Sequence, residues 1–455
     1  MLRWLAWLGA ILAISWPVAS PAQERPNIVV ILADDLGWAD LSCYAPSLWQ
    51  TPHLDRLAAQ GIRFTDGYAA SCVCSPTRAA LMTGRHPARL HLTTFLPGRK
   101  DMPTQKLLQP VIRQQLPNEE ITLAELLKTR GYVCGLFGKW HLGEKPEANP
   151  LAQGFDVYRG AAGRYFQFKG PNLVARDERD YLTDRLTEEA ERFLETHRDR
   201  PFFLYLAHFA VHIPLQAKPE LLAIYEKKAA KAPQTLERKN PIYAAMMHSL
   251  DESVGRILKK LDDLQLTERT ILVFTSDNGG LSVEEGPNTP ATSNAPLRLG
   301  KGYLYEGGIR VPLIIRWPGV VKPGQVCSVP VRSEDLFVTL AEAAGANLPC
   351  DRDLDGVSLR SLLRGENKTL PREYLYWHFP HYSNQGGRPC GAIRCADWKL
   401  IEHYEDGRLE LYNLRKDLGE TQNLADQYPD WRDKLHRELV AWRQHIHVQM
   451  PQSRK

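Results

Sequence analysis

One short segment of the chain places a thiol, a proline and an arginine at the expected start of a helix. It spans residues 74–78, with the letters CSPTR. Pro76 has its φ preset for a first helical turn, so the free amide groups of that turn would point beside Cys74 and would stabilise an anion there. Cys74 is therefore a candidate nucleophile precursor, with Arg78 as a nearby positive charge. For an isolated cysteine, ordinary burial in a core would explain the residue equally well.

Polar side chains also follow four nearly continuous apolar runs, which are typical of parallel strands covered on both faces. The runs are residues 27–33, 132–137, 202–207 and 271–275. The polar side chains just past their ends are Asp34, Asp35, Lys139, His141, His212, Asp277 and Asn278. In open α/β sheets, ligands bind beyond the carboxyl ends of the strands. We therefore expect these side chains to converge on one site.

Two strand ends supply an oxygen-rich group of side chains. Asp34, Asp35 and Asp277 offer carboxylates and Asn278 an amide oxygen, which suits a hard cation. Ca²⁺ is the expected ion, and Mg²⁺ remains open because the sequence does not report the size of the cavity. Alone, Asp34 and Asp35 would be as well explained by a turn or helix cap. A second acidic strand end favours the metal, because three neighbouring carboxylates without a cation would repel one another.

Helical segments separate the apolar runs. Thr51 and Pro52 are expected to open one helix, which ends at Gly61. Thr122 and Glu125 form a capping-box pattern for another. Alternation of strand and helix predicts an α/β fold with a large mixed, mostly parallel sheet flanked by helices.

The pattern changes after about residue 350. Residues 398–404 and 408–412 read as two strands around an Asp-Gly turn, and residues 429–448 have helical periodicity. We expect a catalytic domain over residues 23–350, followed by a small C-terminal α+β subdomain with an antiparallel sheet over residues 351–455.

The composition of the chain and its amino-terminal segment indicate which partners the protein binds and in which cellular compartment it works. The 455 residues carry a formal net charge of only +4, with no Lys/Arg block interleaved with aromatics, so nucleic acid is not an expected partner. Residues 1–22 read as a secretory signal peptide, whose apolar run is too short to span a membrane. An exported protein, periplasmic or secreted and without stable membrane insertion, is expected. Of the eight cysteines, Cys390 and Cys395 are the expected disulfide pair.

The segment around Cys74 resembles the C-x-P-S/T-R signature of the type I sulfatases of the alkaline phosphatase superfamily. In that family the cysteine is oxidised to Cα-formylglycine after translation. The resemblance implies an alkaline-phosphatase-like fold, conversion of Cys74 by a formylglycine-generating enzyme, and neutralisation of the modified side chain by Arg78. Residues 27–35 and 276–279 are similar to the family's two metal-binding patterns. They imply that a cation bound by the four strand-end residues also binds residue 74.

Further motifs of the family are present. Lys139 and His141 lie in GKWHLG, Lys301 lies in LRLGKG, and His212 matches the family's P-H-x-P histidine although Val211 replaces the usual proline. The resemblance implies that residue 74 is the nucleophile, that His141 deprotonates its remaining hydroxyl, and that His212 is the general acid for the departing alcohol. The cation, Lys139, Lys301 and Arg78 would surround the sulfate oxygens. The nearby His208 is expected to be a core histidine.

The middle of the chain resembles bacterial N-acetylgalactosamine-6-sulfatase and arylsulfatase-like sequences. This implies a sulfuric ester hydrolase that acts on a sulfated glycan or a small sulfate ester. Five residues are candidates for a sugar subsite, with ordinary surface-loop positions as the equal alternative: Arg164, Tyr165, His378, His381 and Arg388. Two other functions remain open, a phosphonate or phosphate monoester hydrolase on the same fold and a non-catalytic glycan-binding relative.

Overall fold

The computed structural model describes residues 25–161 and 164–454. The predicted signal peptide lies outside the described residues. None of the described helices combines the length and apolar content that a membrane crossing requires.

The strands are β1 (Asn27–Ala33), β2 (Ile62–Phe64), β3 (Gly67–Tyr68), β4 (Leu107–Leu108), β5 (Val133–Gly138), β6 (Val157–Arg159), β7 (Phe202–Ala207), β8 (Thr270–Ser276), β9 (Leu313–Arg316), β10 (Gln325–Cys327), β11 (Val331–Arg332), β12 (Tyr374–Phe379), β13 (Cys390–Cys395), β14 (Trp398–His403), β15 (Leu409–Asn413) and β16 (Gln452–Ser453). The α-helices are α1 (Pro52–Ala59), α2 (Cys74–Thr83), α3 (Leu123–Lys128), α4 (Leu182–Thr196), α5 (Pro219–Ala229), α6 (Pro241–Asp263), α7 (Glu306–Ile309), α8 (Ser333–Ala343), α9 (Arg360–Leu363) and α10 (Pro429–His445). Short 3₁₀ turns cover Trp38–Asp40, Pro146–Ala148 and Thr267–Arg269.

The large sheet has eight strands in the order β10-β2-β9-β8-β1-β7-β5-β6. The five strands from β8 to β6 run parallel, whereas β9 pairs antiparallel with both of its neighbours, β8 and β2. The prediction of a mixed, mostly parallel sheet is confirmed. The first strand of the chain, β1, lies between β7 and β8 near the middle.

Side chains of β1 alternate between two hydrophobic cores, one on each face of the sheet. Val29 and Ile31 pack with α1, α4 and α6, and Ile28 and Val30 pack with α2, α3 and α8. Coverage of both faces explains why the strands read as continuous apolar runs, since neither face meets water.

The smaller sheet is an antiparallel meander, β12-β13-β14-β15, covered by α10. Its hairpin between β14 and β15 turns at Gly407, whose φ of 70° lies in the left-handed region that glycine adopts without strain. The predicted hairpin and C-terminal helix are thus both present.

Local signals in the sequence set two of the helix starts. Thr122 Oγ1 accepts a hydrogen bond from Glu125 N at 3.1 Å, and Glu125 Oε2 accepts one from Thr122 N at 2.7 Å, which completes the predicted capping box. Pro52 occupies the first position of α1, as predicted.

The predicted disulfide between Cys390 and Cys395 is wrong. Both thiols are free, and the two residues begin and end the same strand, β13. Five steps of about 3.4 Å along a strand separate their Cα atoms by roughly 17 Å, whereas a disulfide needs a separation below about 7 Å.

Candidate active site

The strand order brings the predicted polar residues to one edge of the large sheet. Asp34 and Asp35 follow β1, Asp277 follows β8, and Lys139 follows β5. Backbone hydrogen bonds join the carboxyl ends of neighbouring strands. Asp277 N after β8 donates to Ala33 O of β1 at 3.2 Å, and Lys139 N after β5 donates to Ala207 O of β7 at 2.8 Å. The sheet therefore fixes the relative positions of these side chains.

Three buried carboxylates each lie against one basic side chain. Lys139 Nζ is 2.6 Å from Asp34 Oδ2, and Lys301 Nζ is 2.6 Å from Asp35 Oδ2. Arg78 donates from Nε and Nη2 to Asp277 Oδ2, at 2.9 and 2.7 Å. Burial by itself would raise the pKa of Asp34 and of Asp35, but these cations outweigh it and hold both values below the usual range.

Helix α2 begins at Cys74 and is buried along its whole length. One ligand atom from each of Asp34, Asp35, Cys74 and His212 falls within 4.8 Å of the others. Burial raises the pKa of the Cys74 thiol to about 12, despite the nearby lysines. An unmodified Cys74 is thus a protonated thiol at neutral pH, and a thiol in that state is a poor nucleophile.

His141 lies beside this cluster in one tautomer. Its Nε2 donates to Leu96 O at 2.8 Å, which leaves Nδ1 as the acceptor, and Nδ1 is buried with no hydrogen-bond partner within residues 25–161 and 164–454. Burial, reinforced by Lys139, holds the pKa of His141 well below the usual range. The imidazole is therefore neutral, with its lone pair on Nδ1.

His212 differs from His141 in its exposure, since 28% of its side chain is accessible. Its Nδ1 faces Ile213 O, and its Nε2 lies 3.0 Å from Lys301 Nζ and 3.5 Å from Asp35 Oδ2. The backbone of His212 is held by Tyr165, whose hydroxyl donates to His212 O at 2.9 Å. His212 therefore sits at the rim of the site with Nε2 facing the charged groups.

His208 is a core histidine, as expected. It is fully buried, and its Nε2 is 2.9 Å from Ser253 Oγ. Burial lowers the pKa of His208 to about 3, so the ring is uncharged.

Two pairs of adjacent glycines let the segment that carries Lys301 approach the end of β8 closely. A Cβ on Gly279 would lie 1.8 Å from Gly307 O, and one on Gly308 would lie 2.0 Å from Tyr303 O. No larger residue fits either place without moving backbone. These glycines were missed as functional positions, although the doublets Gly279-Gly280 and Gly307-Gly308 were visible in the sequence.

Known proteins share this architecture over nearly the whole chain. The profile of the family described as sulfatase matches residues 26–346, and that of the N-sulphoglucosamine sulphohydrolase C-terminal region matches residues 299–445. The chain belongs to the sulfatase family. As a sulfatase it is an enzyme that hydrolyses sulfate esters.

Two curated relatives show how far the similarity extends. A sulfatase of Formosa agariphila is 33% identical, with 92% of this sulfatase and 89% of the relative covered. Human N-acetylgalactosamine-6-sulfatase is 35% identical, with 95% and 88% covered.

Solved structures show the same fold. Ps i-CgsB is 30% identical with a TM-score of 0.79 over 92% of this sulfatase and 93% of that chain, and it has also been solved in complex with k-i-k-neocarrahexaose. A phosphonate monoester hydrolase of Agrobacterium radiobacter shares the fold at 21% identity, with a TM-score of 0.69 over 95% of this chain and 100% of that one. The predicted alkaline-phosphatase-like architecture is therefore confirmed.

The residues at the strand ends of this sulfatase fit a hard cation. Asp34 Oδ1 and Asn278 Oδ1 are buried oxygens that find no hydrogen-bond donor in the described part of the chain. Asn278 Nδ2 donates to Asp35 Oδ1 at 2.8 Å, which turns the amide oxygen away from that carboxylate. Buried oxygens without donors are costly unless a ligand compensates them, and oxygen ligands suit Ca²⁺ or Mg²⁺.

The candidate sugar subsite of the sulfatase is corrected at three positions. Tyr165, His378 and His381 are each at most 4% exposed and use their polar atoms inside the protein. His378 lies against Tyr404 and Gln449 O, and His381 Nε2 is 2.7 Å from Thr93 Oγ1. These side chains form part of the packing and do not line a sugar site.

The other two candidates for the sugar subsite are exposed. Arg164 lies on the surface next to Tyr165, and Arg388 is 66% exposed and 2.7 Å from Glu405. Both remain candidates.

Proposed function

We propose that this sulfatase releases inorganic sulfate from a sulfated carbohydrate, with Cα-formylglycine at position 74 and one Ca²⁺ at Asp34, Asp35, Asp277 and Asn278. The single observation that carries the proposal is the cluster at the sheet edge. There Cys74 lies beside the carboxylate cradle, which is the group formed by Asp34, Asp35, Asp277 and Asn278, and three buried basic side chains contact its carboxylates: Arg78, Lys139 and Lys301. Mg²⁺ is the alternative ion.

The basic side chains match the needs of a sulfate monoester. Its three non-bridging oxygens carry negative charge, which repels a nucleophile unless fixed positive groups offset it. The ammonium groups of Lys139 and Lys301 lie against Asp34 and Asp35, and Arg78 donates two hydrogen bonds to Asp277. When present, the hydrated aldehyde at position 74 supplies an oxygen nucleophile and the cation offsets charge on the sulfate.

Two histidines have geometries suited to opposite proton transfers. His141 offers a lone pair at Nδ1 and is held neutral, so it serves as a base toward residue 74. His212 is partly exposed at the rim with Nδ1 facing Ile213 O, so when its ring is protonated Nε2–H can pass its proton to the departing alcohol and leave a neutral imidazole. Lys301, 3.0 Å from that nitrogen, holds the ring in place.

The carbohydrate assignment rests on relatives. Human N-acetylgalactosamine-6-sulfatase and Ps i-CgsB are both similar over most of their length. We further propose export to the periplasm or beyond, maturation by a formylglycine-generating enzyme, and a division into a catalytic domain (23–350) and a C-terminal subdomain (351–455).

The proposal is tested with purified protein, a panel of sulfated mono- and oligosaccharides, an aryl sulfate and an aryl phosphonate. We expect sulfate release from the wild type and from the Cys350→Ala control, whose exposed thiol lies outside the site, and none from Cys74→Ala. Mass spectrometry of the peptide containing residue 74 should show an aldehyde in place of the thiol.

Three results would overturn this assignment. An active protein in which residue 74 is entirely unmodified cysteine would exclude the formylglycine mechanism. Turnover of the phosphonate with no cleavage of any sulfate ester would favour the phosphonate hydrolase, and equal activity of wild type and Cys74→Ala would favour a contaminating enzyme over catalysis by this chain.

A further inference from the structure

The loop that carries Lys301 is wedged between two parts of the site. Lys301 N donates to Gly280 O at 3.1 Å, beside the metal-binding strand end, and Gly302 N donates to Cys72 O at 2.8 Å, just before α2. The ammonium group extends from this loop to Asp35 and His212. Its position therefore depends on what fixes the loop.

One end of the loop is held by a buried triad of ionisable side chains. Glu306 starts α7, five residues after Lys301, and its carboxylate Oε1 is 2.9 Å from Lys399 Nζ. Lys399 Nζ is also 2.8 Å from Glu420 Oε1, and Glu420 Oε2 accepts the backbone N–H of Glu306 at 2.7 Å. All three side chains are fully buried.

The other end of the loop contacts the same region. Arg298 donates to Glu420 O at 2.9 Å, and its guanidinium lies 4.0 Å from the ring centre of Tyr305. The Tyr305 hydroxyl donates to Glu410 Oε2 at 2.7 Å. Residues 298–306 are thus attached at both ends to side chains of β14, β15 and the segment that follows.

The triad fixes the position of residues 298–306 more strictly than apolar packing would. A buried charge that loses its partner is strongly destabilised, so Glu306 and Lys399 cannot slide apart without a large penalty. Burial would raise the pKa of Glu306, but Lys399 and Arg310 outweigh it and lower the value to about 2, which keeps the carboxylate charged. Tyr68 and Arg310 complete its contacts, at 2.6 and 3.2 Å from Oε2.

We propose that Lys399 and Glu420 are positioning residues for Lys301: through Glu306 they hold residues 298–306 at the depth where the Lys301 ammonium meets the sulfate group. This inference rests on the proposed function, in which Lys301 binds a sulfate oxygen. The C-terminal sheet is then part of the catalytic apparatus although neither residue touches the substrate.

The test compares two charge-neutral double variants of the full-length enzyme. Lys399→Met/Glu420→Gln removes two members of the triad. Arg443→Met/Glu402→Gln removes a salt bridge of 2.7 Å that joins α10 to β14 in the same subdomain and does not involve the Lys301 loop. Both should lower the melting temperature, so the control separates stability from positioning.

We expect only the triad variant to change catalysis. Its kcat on an aryl sulfate should fall about 100-fold, because a displacement of about 1 Å in an active site has that effect. Its dissociation constant for inorganic sulfate, measured by calorimetry, should rise about tenfold. In a Lys301→Met background the same double change should lower kcat by no more than about threefold, since residues acting through one group are not additive.

Three outcomes would overturn the proposal: equal effects of the two double variants on kcat, full additivity with Lys301→Met, or unchanged sulfate affinity in the triad variant. If the triad variant does not fold, the single Glu420→Gln is used, which retains an acceptor for Glu306 N. It should weaken sulfate binding several-fold. If the wild type cleaves no sulfate ester, the proposed function fails first, and binding of inorganic sulfate or phosphate still tests the positioning.

Discussion

The tautomer of the His141 imidazole is set by one backbone contact. Leu96 O accepts a hydrogen bond from Nε2–H, so Nδ1 carries the lone pair, and this nitrogen is buried without a hydrogen-bond partner among the described residues. Burial and Lys139 then keep the ring unprotonated at neutral pH. A side chain with a similar donor but no basic lone pair should therefore retain the structure and lose the proton transfer.

His141→Gln provides that change, because the amide N–H₂ can still donate to Leu96 O. We expect kcat on an aryl sulfate to fall about 10²- to 10⁴-fold, the usual contribution of a positioned base, with little change in KM. His248→Gln, on the outer face of α6 beside Glu252, is the matched control and should retain full activity. A kcat for His141→Gln within about threefold of the wild type would contradict the role of His141.

The placement of individual residues at the sheet edge was predictable where they follow an apolar run within two positions. Asp34, Lys139 and Asp277 are such cases, because the end of a buried strand places its next polar side chains at the sheet edge. The tautomer of His141 was not predictable from the sequence, because it depends on a hydrogen bond to Leu96, 45 residues away. The link from Glu306 to Lys399, 93 residues apart, was hidden for the same reason.

Among the helices, α8 carries in its first turn a glutamate, Glu334, whose protonation state is unusual. Glu334 lies in its first turn and is 1% exposed, and neither carboxylate oxygen finds a hydrogen bond among the described residues. Although Arg332 lies 2.8 Å away, burial raises the pKa of Glu334 to about 7. The start of this helix therefore responds to pH.

The stability of the protein should fall as pH rises through this range. An unfolded glutamate releases its proton near its usual pKa of 4.5, whereas native Glu334 retains it up to about 7. Between these values the folded state holds the extra proton, so raising the pH lowers the free energy of unfolding, by at most about 3 kcal/mol.

Glu334→Gln should remove this part of the pH dependence. The urea concentration at the midpoint of unfolding is measured at about pH 5 and about pH 8. Between these two pH values it should decrease less for the variant than for the wild type. Parallel pH profiles would mean that Glu334 is ionised in the native protein.

Elements were predictable where local chemistry sets them, as in the capping box of α3 and the hairpin at Gly407. The antiparallel direction of β9 carried no such signal, because it depends on pairing with β2 and β8. The disulfide prediction failed because nearness in sequence was taken for nearness in space, and β13 extends between Cys390 and Cys395.

On the scale of the whole molecule, the carboxylate cradle joins β1 to β8 at the centre of the fold. Asp35 N donates to Asp277 Oδ1 at 3.2 Å, and Asn278 donates to Asp35. A cation bound there would cross-link two central strands, so metal binding should stabilise the entire protein.

We expect Ca²⁺ to raise the melting temperature and a chelator to lower it. At a concentration about 100 times its dissociation constant, a ligand that binds only the native state adds about 2.7 kcal/mol. Mg²⁺ at the same concentration should have a smaller effect. Asp277→Asn should lose most of the response, and a melting temperature insensitive to both ions in the wild type would exclude a cation at this site.

The place of β1 in the sheet has a consequence for synthesis on the ribosome. Asn27 in β1 pairs with Thr270 in β8, which is made 243 positions later. At about 5 to 20 residues per second, the central strand waits roughly 12 to 50 seconds for its neighbour. Once residue 74 has been made, and until β8 follows, the nascent segment around it is not yet enclosed by the finished sheet, so the maturation enzyme proposed above would meet an open peptide before α2 is buried.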